Sequence, residues 1–243
     1  MEKALQNIKR LLGEKTAQSW RGRLERIQQM SGASRKFKRI AAVPDKEQLD
    51  DYLAEVLYAL AFAGLGFQVE AEPLGEKGPD FRIARDNHST FLEITRFRRV
   101  RPGSPPISLS DKKVQNNTFL LEEYGNPARD VAKAFDKIMD KLRQVGDAES
   151  IIAIWNDEGD LEDLEIEQVP TLLHEAAQQI PSLSRNLLFI LYSSDWKKGN
   201  KQLYCFSSRT PLEPHQEAWK RELEQSRVDE LIQRALHQGK STS

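Results

Sequence analysis

One run of three patterns constrains this chain more than anything else in it. TFLEITRF (90–97) and SIIAIWN (150–156) read as strands, the second apolar enough to be buried on both faces. Between them, NPARDVAKAFDKIMDKLRQV carries Val131, Phe135, Ile138, Leu142 and Val145 at helical spacing, with Asn126 placed to cap and Pro127 at the first turn. Strand, helix, strand in that order is a crossover between parallel strands. Upstream, FQVEAE (67–72) and DFRIAR (80–85) also read as strands, and RDNHS between DFRIAR and TFLEITRF has the composition of a hairpin turn. A hairpin-rich half therefore meets a parallel half, which predicts an α/β domain with a mixed sheet.

Helical signals surround this core. Leu5, Ile8, Leu11 and Leu12, then Trp20, Leu24 and Ile27, predict one or two helices over 2–30. SGASRKFKR (31–39) reads as a polar, basic connector. A further helix starts near Pro44 and Asp45, carries Leu49, Tyr52, Leu53, Val56, Leu57 and Leu60 as its apolar stripe, and stops at Gly64 or Gly66. Residues 100–125 form a long irregular stretch, of a length uncommon unless the loop serves a function or is mobile. A helix near 171–180, strands at 186–193 and 202–208, and a charged C-terminal helix over 213–237 complete the chain. The expected division is a basic helical N-terminal extension (1–45), an α/β domain (46–210) and a C-terminal helix and tail (211–243).

Composition removes several classes. No apolar run approaches the roughly 20 residues of a membrane helix, so no membrane partner is expected, and MEKALQNIKRLLGEK lacks a signal-peptide core. The single cysteine, Cys205, has no partner for an internal disulfide, and a reducing cytoplasm is the expected location. The net charge of −1 is unevenly spread: residues 1–45 hold eleven Lys and Arg against four acids, whereas 146–180 holds ten acids and no Lys or Arg. Such asymmetry suits one end that meets a polyanion. No phosphate-binding loop, dinucleotide fingerprint or nucleophile elbow is present, and the histidines lack metal spacing.

Chemistry concentrates on two acids. In TFLEITRF, Glu93 and Thr95 face one way while Leu92 and Ile94 face the other. If the hairpin pairs Arg85 with Thr90, Asp80 falls opposite Thr95 and diagonal to Glu93, with Cβ atoms within roughly 7–8 Å. Carboxylates that close repel unless a cation lies between them. Hard oxygen donors suit Mg²⁺ or Mn²⁺, and the carbonyl of Ile94 could add a further donor. Glu55, set in the apolar run Leu53, Ala54, Val56, Leu57, is a candidate third carboxylate.

GPDF…FLEIT, following the helix that holds Glu55 and preceding the helix 127–145 and strand 150–156, resembles the PD-(D/E)xK nuclease superfamily. The resemblance spans about residues 48–156. It implies a restriction endonuclease-like αβββαβ core with a mixed sheet, plus N- and C-terminal helical extensions. It further implies Asp80 and Glu93 as metal ligands with the Ile94 carbonyl, Glu55 as the helix acid, and hydrolysis of phosphodiester bonds, in DNA ahead of RNA. Thr95 departs from the pattern, where the family has a lysine. A lysine from elsewhere could take that place, Lys133 and Lys137 on the following helix or Lys77 before Asp80. Otherwise Thr95 itself orients water, or the chain is a catalytically inactive nuclease-fold protein serving as a nucleic-acid-binding or protein-interaction module. Arg96, Arg98, Arg99 and Arg101, with Lys112 and Lys113 in the long loop, are the expected nucleic-acid contacts. The amphipathic stretch 213–237 could support a homodimer.

Overall fold

The computed structural model describes residues 1–75, 78–97, 127–145, 148–156, 187–193, 203–207 and 211–238. Four helices come first: α1 (Glu2–Leu12), α2 (Glu14–Gln28), α3 (Ala33–Ala42) and α4 (Lys46–Gly64). Strands β1 (Gln68–Ala71), β2 (Phe81–Arg85) and β3 (His88–Phe97) follow, then α5 (Pro127–Val145), β4 (Ser150–Asn156), β5 (Leu187–Ser193) and β6 (Leu203–Ser207). Helices α6 (Pro214–Glu224) and α7 (Val228–Gln238) close the described chain.

The strands form one sheet in the order β1-β2-β3-β4-β5-β6. Pairing is antiparallel from β1 to β3, parallel from β3 through β5, and antiparallel again at β6. The α/β class and the β3–α5–β4 crossover are as the patterns predict. Leu92 and Ile94 of β3, with Phe81, Ile83, Ile151 and Ala153, join the apolar cluster built by α1 to α4, α6 and α7. The alternate residues Glu93 and Thr95 look to the opposite face, where α5 lies and buries Ala134, Ile138, Leu142 and Val145.

α4 is capped by the Asp45 side chain, which accepts from the Gln48 N–H. From Leu53 to Gly64 every residue is buried, because the sheet covers one side and α7 another. Gly64 serves that contact: a Cβ there would fall 2.0 Å from the Leu231 carbonyl oxygen. Gly66, with φ 84°, turns the chain out of the helix.

Two segments depart from expectation. Residues 33–42 form a helix, not a connector, burying Ala33, Lys36, Phe37 and Ile40 on one face. That face contains a lysine, so the apolar stripe is hidden in a basic run. The C-terminal stretch is two helices, α6 and α7, separated by Gln225 to Arg227. Segments 1–45 and 211–238 both supply core residues, among them Ile8, Leu24, Ile40, Trp219 and Leu231.

Candidate active site

The β2–β3 turn sets the geometry. Asp86 and Asn87 have φ 53° and 64°, the left-handed pair of a two-residue type I′ hairpin. Arg85 therefore pairs with His88, and Phe81 with Leu92. One further step places Asp80 across from Glu93, not across from Thr95. The expected register assumed a longer turn, and the short one brings the two acids directly face to face. Backbone groups lock them: the Asp80 N–H donates to Glu93 Oε1 at 3.2 Å, and the Ile94 N–H donates to Asp80 Oδ2 at 3.0 Å.

α5 lays two lysines over this face. Lys141 Nζ donates to Glu93 Oε2 at 2.7 Å and lies 3.6 Å from Asp80 Oδ2. Lys137, one turn earlier, donates to Thr95 Oγ1 at 3.5 Å. The lysine that meets both acids is therefore Lys141, which the sequence reading passes over. Lys133, Lys137 and Lys141 recur every four residues, and that repeat, followed one turn further, is the signal that could have found it.

From the other side α3 delivers Lys36, which is 0% exposed. Its ammonium pairs with Glu55 on α4, and lies 3.4 Å from Glu72 Oε1 and 3.9 Å from Asp80 Oδ1. Glu72 follows β1 with φ 47°, and its carboxylate also meets Arg39 Nε at 3.1 Å. Neither Glu72 nor Lys36 stood out in the sequence. Glu55, the candidate helix acid, faces this cluster and not solvent.

Burial and the neighbouring Asp80 push the Glu93 carboxyl up to about 8, against the pull of Lys141. The same two causes raise Glu55 to about 7, against Lys36. For both lysines burial opposes the charge, yet the surrounding carboxylates outweigh it and hold the ammonium form: Glu55, Asp80 and Glu72 around Lys36, Asp80 and Glu93 around Lys141.

Among the described residues no three His, Cys, Asp or Glu side chains are arranged to hold a metal ion. What the cluster does show is a pair of carboxylates that gathers a cation, the Lys141 ammonium. Both Glu93 oxygens are engaged in this arrangement, Oε1 by the Asp80 N–H and Oε2 by the Lys141 ammonium.

Arg96 is buried and points to α4, 3.5 Å from Asp50 and 3.9 Å from Asp51. Its charge is engaged within the fold. Arg98, Arg99, Arg101, Lys112, Lys113 and Lys77 lie outside the described residues, as do the loop 100–125, the helix near 171–180 and the side chain of Lys133. Comparison with family models, with curated proteins and with solved structures finds no match to this chain.

Proposed function

We propose that the chain is a divalent-metal-dependent phosphodiesterase of the PD-(D/E)xK kind, acting on DNA, with Lys141 standing in for the lysine that Thr95 replaces. One observation carries this: Lys141 Nζ lies 2.7 Å from Glu93 and 3.6 Å from Asp80, so a lysine from α5 reaches the acids that the hairpin brings together. The element order, antiparallel β1–β3 then a parallel crossover through α5, supports the restriction endonuclease-like core.

Asp80 and Glu93, with the Ile94 carbonyl, would hold Mg²⁺ or Mn²⁺. Such an ion, when bound, polarises a phosphoryl oxygen and lowers the pKa of a coordinated water. Lys141 orients that water and offsets the negative charge that builds on the phosphorus oxygens, the task a neutral threonine cannot perform. Lys137 and Thr95 form a hydrogen-bonded pair one turn along.

The burial of Glu93, 0% exposed, favours a second reading: a nuclease fold without turnover that binds nucleic acid or a protein partner. Cleavage of plasmid DNA with Mg²⁺ or Mn²⁺ separates the two. The enzyme reading expects nicking by the native chain and none by Asp80→Asn or Glu93→Gln. Cleavage that persists unchanged in both variants sinks the assignment. Absence of cleavage with every metal, together with salt-sensitive DNA binding, establishes the second reading instead.

A further inference from the structure

α3 turns one flank to the acids and another to a groove. Ser34, Phe37, Lys38 and Ala41 recur three and four residues apart and line that groove, while Lys36 and Ile40 lie on a different flank of the helix. The opposite wall is the start of α1, and α1 is pinned to the end of α3 where the Asn7 side chain donates to the Ile40 and Val43 carbonyls at 2.7 and 2.9 Å. From Ala41 the groove runs back along α3 to Gly32 and encloses about 580 Å³. At 1.5 Å of rise per residue it is about 13 Å long. Its volume falls within the roughly 300–1,000 Å³ of small-molecule sites.

Small apolar residues make the floor. Ala4 and Ala33 are buried there beside Phe37, and Ala41 is half-buried. Interiors are otherwise close-packed, so one-carbon side chains on facing helices leave room that larger ones would fill. Met1 and Met30, partly buried against the core, add flexible thioethers that adapt to a guest.

The rim is positive. Lys3 of α1 and Lys38 of α3 both line the groove and both are exposed. Among the described residues neither has an ion-pair or hydrogen-bond partner. Glu2, the only acid along the groove among the described residues, is paired with Arg21 at 3.1 Å. An apolar floor under two unmatched ammonium groups complements an anion that carries an apolar body. Two free cations fall short of the roughly four to eight basic residues that hold a chain to an anionic membrane, so the complementary occupant is a free molecule.

We propose that the α1–α3 groove binds a small amphipathic anion, an acyl carboxylate of medium chain length, with its chain on Ala33, Phe37 and Ala41 and its head group met by Lys3 and Lys38. The site is separate from the acid cluster and requires neither metal nor nucleic acid.

The experiment is isothermal titration calorimetry of the full chain with decanoate, without metal or DNA. The native chain binds one decanoate, and affinity rises about tenfold for each two methylenes added from octanoate to dodecanoate. Decyltrimethylammonium, the same chain with a cationic head, does not bind. Changing Lys3→Gln and Lys38→Gln together weakens decanoate about fivefold to tenfold, the scale of two exposed charge pairs. Ala41→Leu occupies part of the groove from its half-exposed side and weakens decanoate at least as much, with the thermal melt of the native chain. No saturable binding by the native chain, equal binding of the cationic and anionic probes, or native affinity in the lysine variant overturns the proposal. Native affinity in a folded Ala41→Leu puts decanoate elsewhere and overturns it as well; if that variant melts early, the lysine variant alone decides. Retention on phosphatidylglycerol vesicles that depends on Lys3 and Lys38, without binding of decanoate, makes the occupant a membrane lipid and overturns the assignment to a free molecule. No variant touches Asp80, Glu93 or Lys141, so failure here leaves the cleavage assays to decide the phosphodiesterase reading by themselves.

Discussion

Thr95 has no charge to set against a developing oxyanion, and Lys141 has. The two lysines on this face of α5 are accordingly unequal. Lys141→Met is expected to lower Mg²⁺-dependent cleavage by roughly 10²–10³-fold, the scale of one lost oxyanion donor, whereas Lys137→Met, which loses a 3.5 Å bond to Thr95, should fall far less. Rates measured on nicked plasmid decide this, and equal losses would move the catalytic role off Lys141. The raised carboxyls make a second expectation. Glu93 and Glu55 bind their protons more tightly folded than unfolded, since their folded values, about 8 and about 7, lie above the ordinary 4.5. Their stabilising contribution is complete below pH 4.5 and is lost as pH climbs towards 8. Lys36 and Lys141, raised from 10.5, contribute without change across that window. Melting temperatures of metal-free protein should therefore fall from pH 5 to pH 8, and Glu93→Gln should flatten the fall. A rise over that range refutes the electrostatic picture. Mn²⁺ binding should release protons in the same window, which calorimetry in buffers of differing ionisation enthalpy measures.

At the scale of elements, close approaches aim the side chains. α4 can carry Glu55 into the cluster because it is wedged between the sheet and α7, and Gly64 sets how near α7 comes. A Cβ at Gly64 would meet backbone at 2.0 Å, and backbone cannot rotate aside. Gly64→Ala is expected to cost about 1–3 kcal/mol by overpacking, despite the better helix propensity of alanine. Urea denaturation checks it, and a stabilised variant would show that the α4–α7 contact is looser than described. α5 reaches the acids for a different reason. Its apolar residues Ala134, Ile138, Leu142 and Val145 press on the sheet, which turns Lys137 and Lys141 towards β3.

At the scale of the whole molecule, the terminal segments belong to the core. α1 binds α3 through the Asn7 side chain, which donates to the Ile40 and Val43 carbonyls at 2.7 and 2.9 Å, and α3 in turn holds Lys36 among the acids. Removing residues 1–45 should strip Glu55, Glu72 and Asp80 of the Lys36 cation and uncover the apolar faces of α4, a loss of several kcal/mol. The shortened chain is expected to lack a cooperative thermal transition, as followed by circular dichroism. A melt indistinguishable from that of the full chain would mean that 1–45 is a dispensable extension after all.

Local periodicity was enough to place the strands of the hairpin, α4, α5 and the parallel crossover, because alternation and helical spacing are properties of neighbouring residues. It also singled out Asp80 and Glu93, whose approach follows from any tight hairpin. The register did not follow, since it depends on whether the turn takes two residues or four, and the left-handed pair at Asp86 and Asn87 selects two. Lys36, Glu72 and Lys141 stayed hidden for a related reason. A lysine on a helix face reads the same in sequence whether it meets water or three carboxylates, and only the packing of α3 and α5 against the sheet decides which.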